Sequence, residues 1–240
     1  MSELHARLFV IFIERRTAMS IMCCAYVREG IIMATDSRLV VAKSRPANAV
    51  YPLSDNAQKV LWLKNHNTGV AFCGNAMNGD MMVSDYISLF EREHLNSADS
   101  PREIANKIAS NSVAKQTHFL ICGFKKDVPF VYDVKYQKVE RLNASEEADE
   151  NVKYGVVWSG QKVAITKIMK GDPPFNVNWN LMSLKDAIDF VEFLVNTTIQ
   201  YERFNDALQS CGGNVDILVL TPQHIFWHQH KIYAPKHGQG

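Results

Sequence analysis

Two short, almost wholly apolar runs, residues 20–27 and 30–35, stand on either side of Arg-Glu-Gly. Runs of that length are short for helices, and their lack of alternation does not suit a sheet with one face in water. Gly30, free to take a positive φ, makes the break a turn and the pair an antiparallel hairpin. A hairpin apolar on both faces needs a packed layer on each side. That requirement constrains the rest of the chain more than any other feature.

The unit recurs. "KVLWL" (59–63) and "GVAFC" (69–73) read as a second hairpin, "HFLICGF" (118–124) and "PFVYDV" (129–134) as a third, and "VDILVLTP" with "HIFWHQH" (215–222, 224–230) as the last. "YGVVWSG" (154–160) adds a strand, and the proline-containing stretch 44–56 reads as a loop. Three helices separate these units. Residues 78–94 carry an apolar stripe at Met82, Tyr86, Leu89 and Phe90. Residues 100–115 open with Ser100, Pro101 and Glu103, a capping box with proline in the first turn. Ser183 caps the third, with Asp186 in the capping-box place and Leu184, Ala187, Ile188, Val191, Leu194 and Val195 on one face. Hairpins, helices, strands, helices and a closing hairpin are neither an alternating βαβ chain nor strands alone. The order predicts an α+β fold, a four-layer αββα sandwich of two antiparallel sheets with helices outside them.

No internal repeat or linker divides residues 20–240, which read as one domain. Residues 1–19 read as an extension: a propeptide, or a translation start placed too early, with an amphipathic arm as the alternative. Its apolar run "LFVIFI" (8–13) is too short to span a bilayer and weak as a signal-peptide core. A formal net charge of +1, with both signs mixed along the chain, gives no reason to expect nucleic acid or an anionic membrane as partner. The acidic cluster "EEADE" (146–150) reads as a solvated loop. Five cysteines, two of them adjacent and none in a CxxC pair, point to reduced thiols in a cytoplasm and against zinc. Cys23 and Cys24 read as small core residues. His224, His228 and His230 lie on the last hairpin with no carboxylate nearby and read as a solvated strand; no metal or cofactor is expected.

With Arg28 and Glu29 at the turn, antiparallel pairing sets Asp36 opposite Ile21 or Met22, with Ser37 and Arg38 beside Ser20. A hydroxyl, a carboxylate and a guanidinium then gather at one end of a sheet, as polar residues at strand ends often do.

At this point the sequence resembles a family. "GIIMATDSR" (30–38) is similar to the Gly-apolar-apolar-apolar-Ala-x-Asp-Ser-Arg segment of proteasome β-type subunits and their bacterial relatives, the N-terminal-nucleophile (Ntn) hydrolases. In that family a threonine nucleophile begins the mature chain sixteen positions before the aspartate; counting back from Asp36 gives Ser20, directly after Met19. "QKVLWL" resembles the family's Lys-Val segment and puts the catalytic lysine at Lys59. "GVAFCGNAMNGD" resembles the segment that supplies the oxyanion-hole amide, at Gly74, and "VVWSGQ" the Gly-Ser-Gly motif, at Ser159. "MSLKDAIDF" and "SCGGNVDILVL" resemble a late helix and the Gly-Gly turn before the final strands. The match runs from Ser20 to Trp227. Serine departs from the usual threonine and lacks the methyl that restrains its rotamer. Cys211 and Leu208 stand where the family has a serine and an aspartate, unless Asp206 reaches in through a small insertion.

The resemblance implies that Ser20 attacks a peptide carbonyl, passing its proton to its own free amine or to Lys59, and forms an acyl-enzyme that water resolves. Asp36 then orients Lys59, whose burial disfavours its charge. The Gly74 N–H stabilises the oxyanion, Ser159 hydrogen-bonds the nucleophile's amine, and Arg38 and Asp206 support. Each residue also has a plain structural reading: a strand-initial serine, a buried ion pair, a turn glycine, a loop-cap serine. Leu61, Phe72, Cys73 and Ala76 are expected to line an apolar pocket beside the nucleophile. The implied protein is a cytoplasmic proteasome-like peptidase acting on polypeptides, assembled from several copies into a ring or related array. A chain that keeps residues 1–19 would instead be an inactive scaffold subunit, and an amidase for a small non-peptide substrate is the third reading.

Overall fold

The computed structural model describes residues 20–42, 50–144, 152–205 and 208–231. The expectations for residues 1–19, the acidic run 146–150 and Asp206 lie outside the described residues. The opening hairpin pairs β1 (Ile21–Val27) with β2 (Gly30–Thr35), every residue of both buried. Val27 faces Gly30 and Met22 faces Thr35, and the Asp36 amide donates to the Ile21 carbonyl at 3.3 Å. This is the register that brings the carboxylate to the start of β1.

β3 (Leu39–Ala42) and β4 (Val50–Ser54) form a separate two-stranded sheet. Part of the stretch expected as a loop is therefore strand. Pro52 fits because a two-stranded ribbon consists of edges, where a missing N–H breaks no interior ladder. β5 (Val60–Leu63) and β6 (Thr68–Gly74) follow, then the short β7 (Met77–Asn78) and β8 (Met81–Met82). Helices α1 (Val83–His94) and α2 (Pro101–Ala109) precede β9 (Thr117–Lys125), β10 (Val128–Lys135) and β11 (Lys138–Arg141). The chain continues through β12 (Gly155–Gly160), α3 (Val163–Met169), α4 (Leu184–Arg203), β13 (Asp216–Leu220) and β14 (Ile225–Gln229). β11 and α3 are elements that the sequence reading did not include.

The fold is α+β. One antiparallel sheet runs β12-β1-β2-β13-β14, the other β11-β10-β9-β6-β5. Ile32, Ala34 and Val219 of the first pack against Val191, Leu194 and Val195 of α4. Phe119 and Ile121 of the second pack against Ile87 and Phe90 of α1 and Ile104 of α2. A third cluster joins the sheets, with Met22, Met33 and Leu218 against Ala71, Leu120 and Cys122. Apolar residues on both faces of β1, β2 and β13 are the sequence cause of this stacking.

Ser183 caps α4 by accepting the Asp186 N–H at 3.1 Å, and the Ser100 amide donates to Glu103 at 2.6 Å as the capping box requires. A cap is worth about 1 kcal/mol, against about 1.5–3 kcal/mol for each large side chain buried. The apolar face, not the cap, holds α4. On α1 the buried face is Val83, Ile87 and Phe90 rather than Met82, Tyr86 and Leu89. Adjacent apolar pairs at 82–83 and 89–90 fit two stripes one residue apart, and the sheet selects the one containing Ile87. Tyr86 turns its hydroxyl to Asn111 Oδ1 at 2.7 Å.

All five cysteines are free and buried; Cys24 and Cys122 bring their sulfurs to 3.6 Å across the two sheets. No helix among the described residues is long and apolar enough to cross a membrane.

Candidate active site

Lys59 ends the segment leading into β5 with its side chain inside the protein, 3 % exposed. Its ammonium donates to Ser20 Oγ at 2.8 Å, to Asp36 Oδ1 at 2.9 Å and to the Arg38 carbonyl. Three acceptors match the three N–H bonds of an ammonium. Ser20 Oγ is therefore a hydrogen-bond acceptor toward Lys59, and its own proton points elsewhere.

Asp36 is fully buried and takes four donors. Oδ1 accepts Lys59 Nζ and the Ile21 N–H at 3.1 Å; Oδ2 accepts the Arg38 and Gly212 amides, both at 3.1 Å. A carboxylate has about four lone-pair sites, and all are used. The hub thus ties the starts of β1 and of the Gly-Gly turn to the lysine. Arg38 does not touch Ser20. Its guanidinium forms a two-pronged pair with Asp55, at 2.6 and 2.9 Å, which holds the guanidinium charged and keeps the Asp55 carboxyl below its usual range. The Arg38 guanidinium lies over Gly212, where a Cβ would meet its carbon at 2.5 Å, so a side chain there would push the guanidinium aside. Ser37, expected beside Ser20, instead donates to the Asn214 carbonyl at 2.7 Å and accepts from Lys231, which pairs with buried Asp216.

Ser20 is 3 % exposed, with a φ of 152° that residues bearing a side chain rarely adopt. Its carbonyl accepts the Gln161 amide at 2.8 Å. A Cβ on Gly160, which itself sits at φ 94°, would lie 2.0 Å from that oxygen. The Gln161 side chain donates to Ser210 Oγ at 2.9 Å, and Glu202, in the last turn of α4, accepts the Ser210 and Cys211 amides at 2.8 and 2.6 Å. Leu208 is 42 % exposed and takes no such part. Besides Asp36, a carboxylate that holds this turn is Glu202, reached from a helix end and reading in the sequence as a solvated acid.

Ser159 lies opposite Met22 on β12. Its hydroxyl bonds His118 Nδ1 at 2.7 Å, and His118 Nε2 pairs with Asp133. Neither His118 nor Asp133 was singled out from the sequence. Burial pushes the neighbouring Cys73 thiol up to about 12; its bond to Ser159 and the charge of Lys59 oppose the shift only in part.

Gly74 ends β6 directly after Cys73, at φ 98°. The expected apolar pocket is corrected. Leu61 and Phe72 point away from the other sheet into the cluster under α1 and α2, whereas Cys73 faces that sheet. Strand alternation is the reason: Phe72 stands between Ala71 and Cys73 and takes the opposite face. Ala76 is half-buried beyond the strand, its carbonyl accepting the Val83 amide at 2.8 Å. The expectation of an apolar pocket built from these four residues loses its basis. Among the described residues, no three His, Cys, Asp or Glu side chains gather as metal ligands do.

Set against known proteins, the chain matches no family model and no curated protein.

Proposed function

We propose that the chain is a proteasome-like hydrolase of peptide or amide bonds whose nucleophile is Ser20, freed as an N-terminal residue by removal of residues 1–19. The observation that carries this reading is the buried line Ser20 Oγ–Lys59 Nζ–Asp36, at 2.8 and 2.9 Å. A serine hydroxyl needs a base. Lys59 gives its three protons to three acceptors, so the base that suits this geometry is the freed α-amine, with an unperturbed pKa of about 7.7–8.0. Ser20 Oγ then bonds the carbonyl carbon as its proton passes to the amine. The C–N bond breaks with return of that proton to the leaving group, and water resolves the ester. Lys59 steadies Oγ throughout, and the Gly74 amide is the candidate oxyanion donor.

Two five-stranded sheets with helices on their outer faces support the four-layer αββα sandwich of Ntn hydrolases. The reading brings with it assembly of several copies into a ring or related array. Five free thiols support a reducing cytoplasm. A second reading, an inactive scaffold subunit, is favoured by the near-complete burial of Ser20, 3 % exposed, in a chain whose Ser20 nitrogen is still in a peptide bond.

Intact mass and N-terminal sequencing of the untagged protein separate the two. A chain beginning at Ser20 that a hydroxyl-directed acylating probe labels there, with labelling abolished in Ser20→Ala, supports the peptidase. A chain that keeps residues 1–19 and takes no label supports the scaffold.

A further inference from the structure

The Ser159–His118–Asp133 line has no part in the mechanism just given, yet it crosses from one sheet to the other at the end where Ser20 lies. Asp133 sits diagonally across from His118 on the neighbouring strand, both on the face that meets the first sheet. The His118 and Asp133 side chains are 14 % and 22 % exposed. β12 carries Ser159 opposite Met22 and Gly160 opposite Ile21, and its next amide holds the Ser20 carbonyl at 2.8 Å. The Cys73 thiol lies between the two groups, within electrostatic reach of Ser159, Lys59, Asp36 and Asp133.

The partners fix the proton positions. An ionised carboxylate only accepts, so His118 Nε2 carries a hydrogen toward Asp133. In the neutral ring Nδ1 is then the bare nitrogen, and the Ser159 O–H donates to it. With its hydrogen committed, Ser159 Oγ is left as an acceptor. Once the ring is protonated Nδ1 becomes a donor, and the Ser159 hydrogen turns away from the ring.

We propose that His118, braced by Asp133, is a positioning residue that acts through Ser159: it keeps Ser159 Oγ an acceptor for the N–H groups of the freed Ser20 amine, so that the amine's lone pair faces its own hydroxyl. The proposal rests on the peptidase reading. The titratable groups around the ring are Asp133 on β10, the Cys73 thiol on β6, and, beyond that thiol, Lys59 and Asp36. Protonation of His118 turns Nδ1 into a donor that fills one Ser159 lone pair, and the freed Ser159 hydrogen can then take the amine's lone pair away from the Ser20 hydroxyl.

The test uses the chain beginning at Ser20, a hydroxyl-directed acylating probe, and the rate of Ser20 labelling from pH 5 to 9. Two deprotonations govern the wild type, that of the amine, unperturbed near pH 7.7–8.0, and that of the His118 ring. Below both, the log rate climbs with pH at a slope approaching two. In His118→Asn the amide oxygen still accepts from Ser159 but does not titrate. The slope there is expected to fall to one, with the rate at pH 8.5 within about threefold of wild type. Nitrogen-15 NMR of the imidazole is expected to show hydrogen on Nε2 in the wild type, and a tautomer mixture in Asp133→Asn together with a several-fold slower rate at pH 7. The Asp133→Asn pair of readings decides the matter should His118→Asn fail to fold. A reactive Ser20 with the same slope in His118→Asn, or hydrogen on Nδ1, overturns the proposal alone, whereas label on Ser159 in place of Ser20 overturns the peptidase reading as well. A correctly trimmed wild type with hydrogen on Nε2 that never labels overturns the peptidase reading, and the proposal with it.

Discussion

Glu202 accepts the backbone N–H of Cys211 at 2.6 Å, fastening the last turn of α4 to the turn that supplies the Gly212 amide to Asp36. The same carboxylate holds the Ser210 amide and hydroxyl. Both N–H groups share Oε2, so Glu202→Gln can keep them on its remaining oxygen, but its NH2 then faces the Ser210 hydroxyl, which loses its acceptor at a cost of about 1–3 kcal/mol. Urea unfolding is expected to shift to a lower midpoint with unchanged slope. Labelling of Ser20 is expected to slow, because Ser210 also receives the Gln161 side chain whose backbone carries Ser20.

Lys59 and Asp36 form a buried pair in which each answers the other's charge. Lys59→Met strands the carboxylate and is expected to destabilise by about 3–5 kcal/mol. Adding Asp36→Asn removes the stranded charge, so the double variant loses less than the two single losses combined. Additivity within about 0.5 kcal/mol, in unfolding titrations of all four proteins, would show the two to be independent.

Gly160→Ala and Gly155→Ala are matched substitutions at the two ends of one strand. The first places a methyl 2.0 Å from the Ser20 carbonyl at a φ of 94°; the second meets the Tyr26 hydroxyl at an ordinary 3.4 Å. The backbone conformation alone costs Gly160→Ala about 1–3 kcal/mol. Thermal unfolding is expected to fall by several degrees and Ser20 labelling to disappear in Gly160→Ala, with little change in Gly155→Ala.

Burial raises the thiols of Cys23, Cys24, Cys73 and Cys211 above their ordinary range, Cys73 to about 12. Groups raised in the folded state stabilise it fully below the unfolded value, about 8.5, and that contribution is lost as pH rises through the folded value. Stability is therefore expected to fall above pH 8.5, by about 1.4 kcal/mol per thiol for each pH unit until the folded thiol itself ionises. Urea midpoints at pH 7.5 and 9.5 check this. Iodoacetamide is expected to leave the native thiols unmodified at pH 8 and to react with them in urea.

Part of this arrangement is legible in the sequence, and the rest is hidden for identifiable reasons. The register of β1 and β2 follows from one turn glycine and a count, which is enough to set Asp36 beside Ile21. Lys59 stands out as a charge at the head of an apolar strand. Leu61 and Phe72 were assigned to the wrong face because a strand buried on both sides has no polar alternation to orient it. His118 and Asp133, 15 residues apart, meet through the β9–β10 pairing, but Ser159, 41 residues from His118, reaches them only because two sheets stack, a relationship no local pattern encodes. Glu202 reads as one more acid on a solvated helix end until the following turn folds back onto it.

Ser20 opens the strand in which all seven residues are buried, between β12 and β2. Amides in such a strand exchange with solvent only when the whole domain opens. The Ser20 hydroxyl is thus mounted at the head of a fully buried strand, where local opening is disfavoured. Looser packing belongs instead to half-buried β12 and the short β7–β8 ribbon. The floor of the site keeps its shape while its edges move.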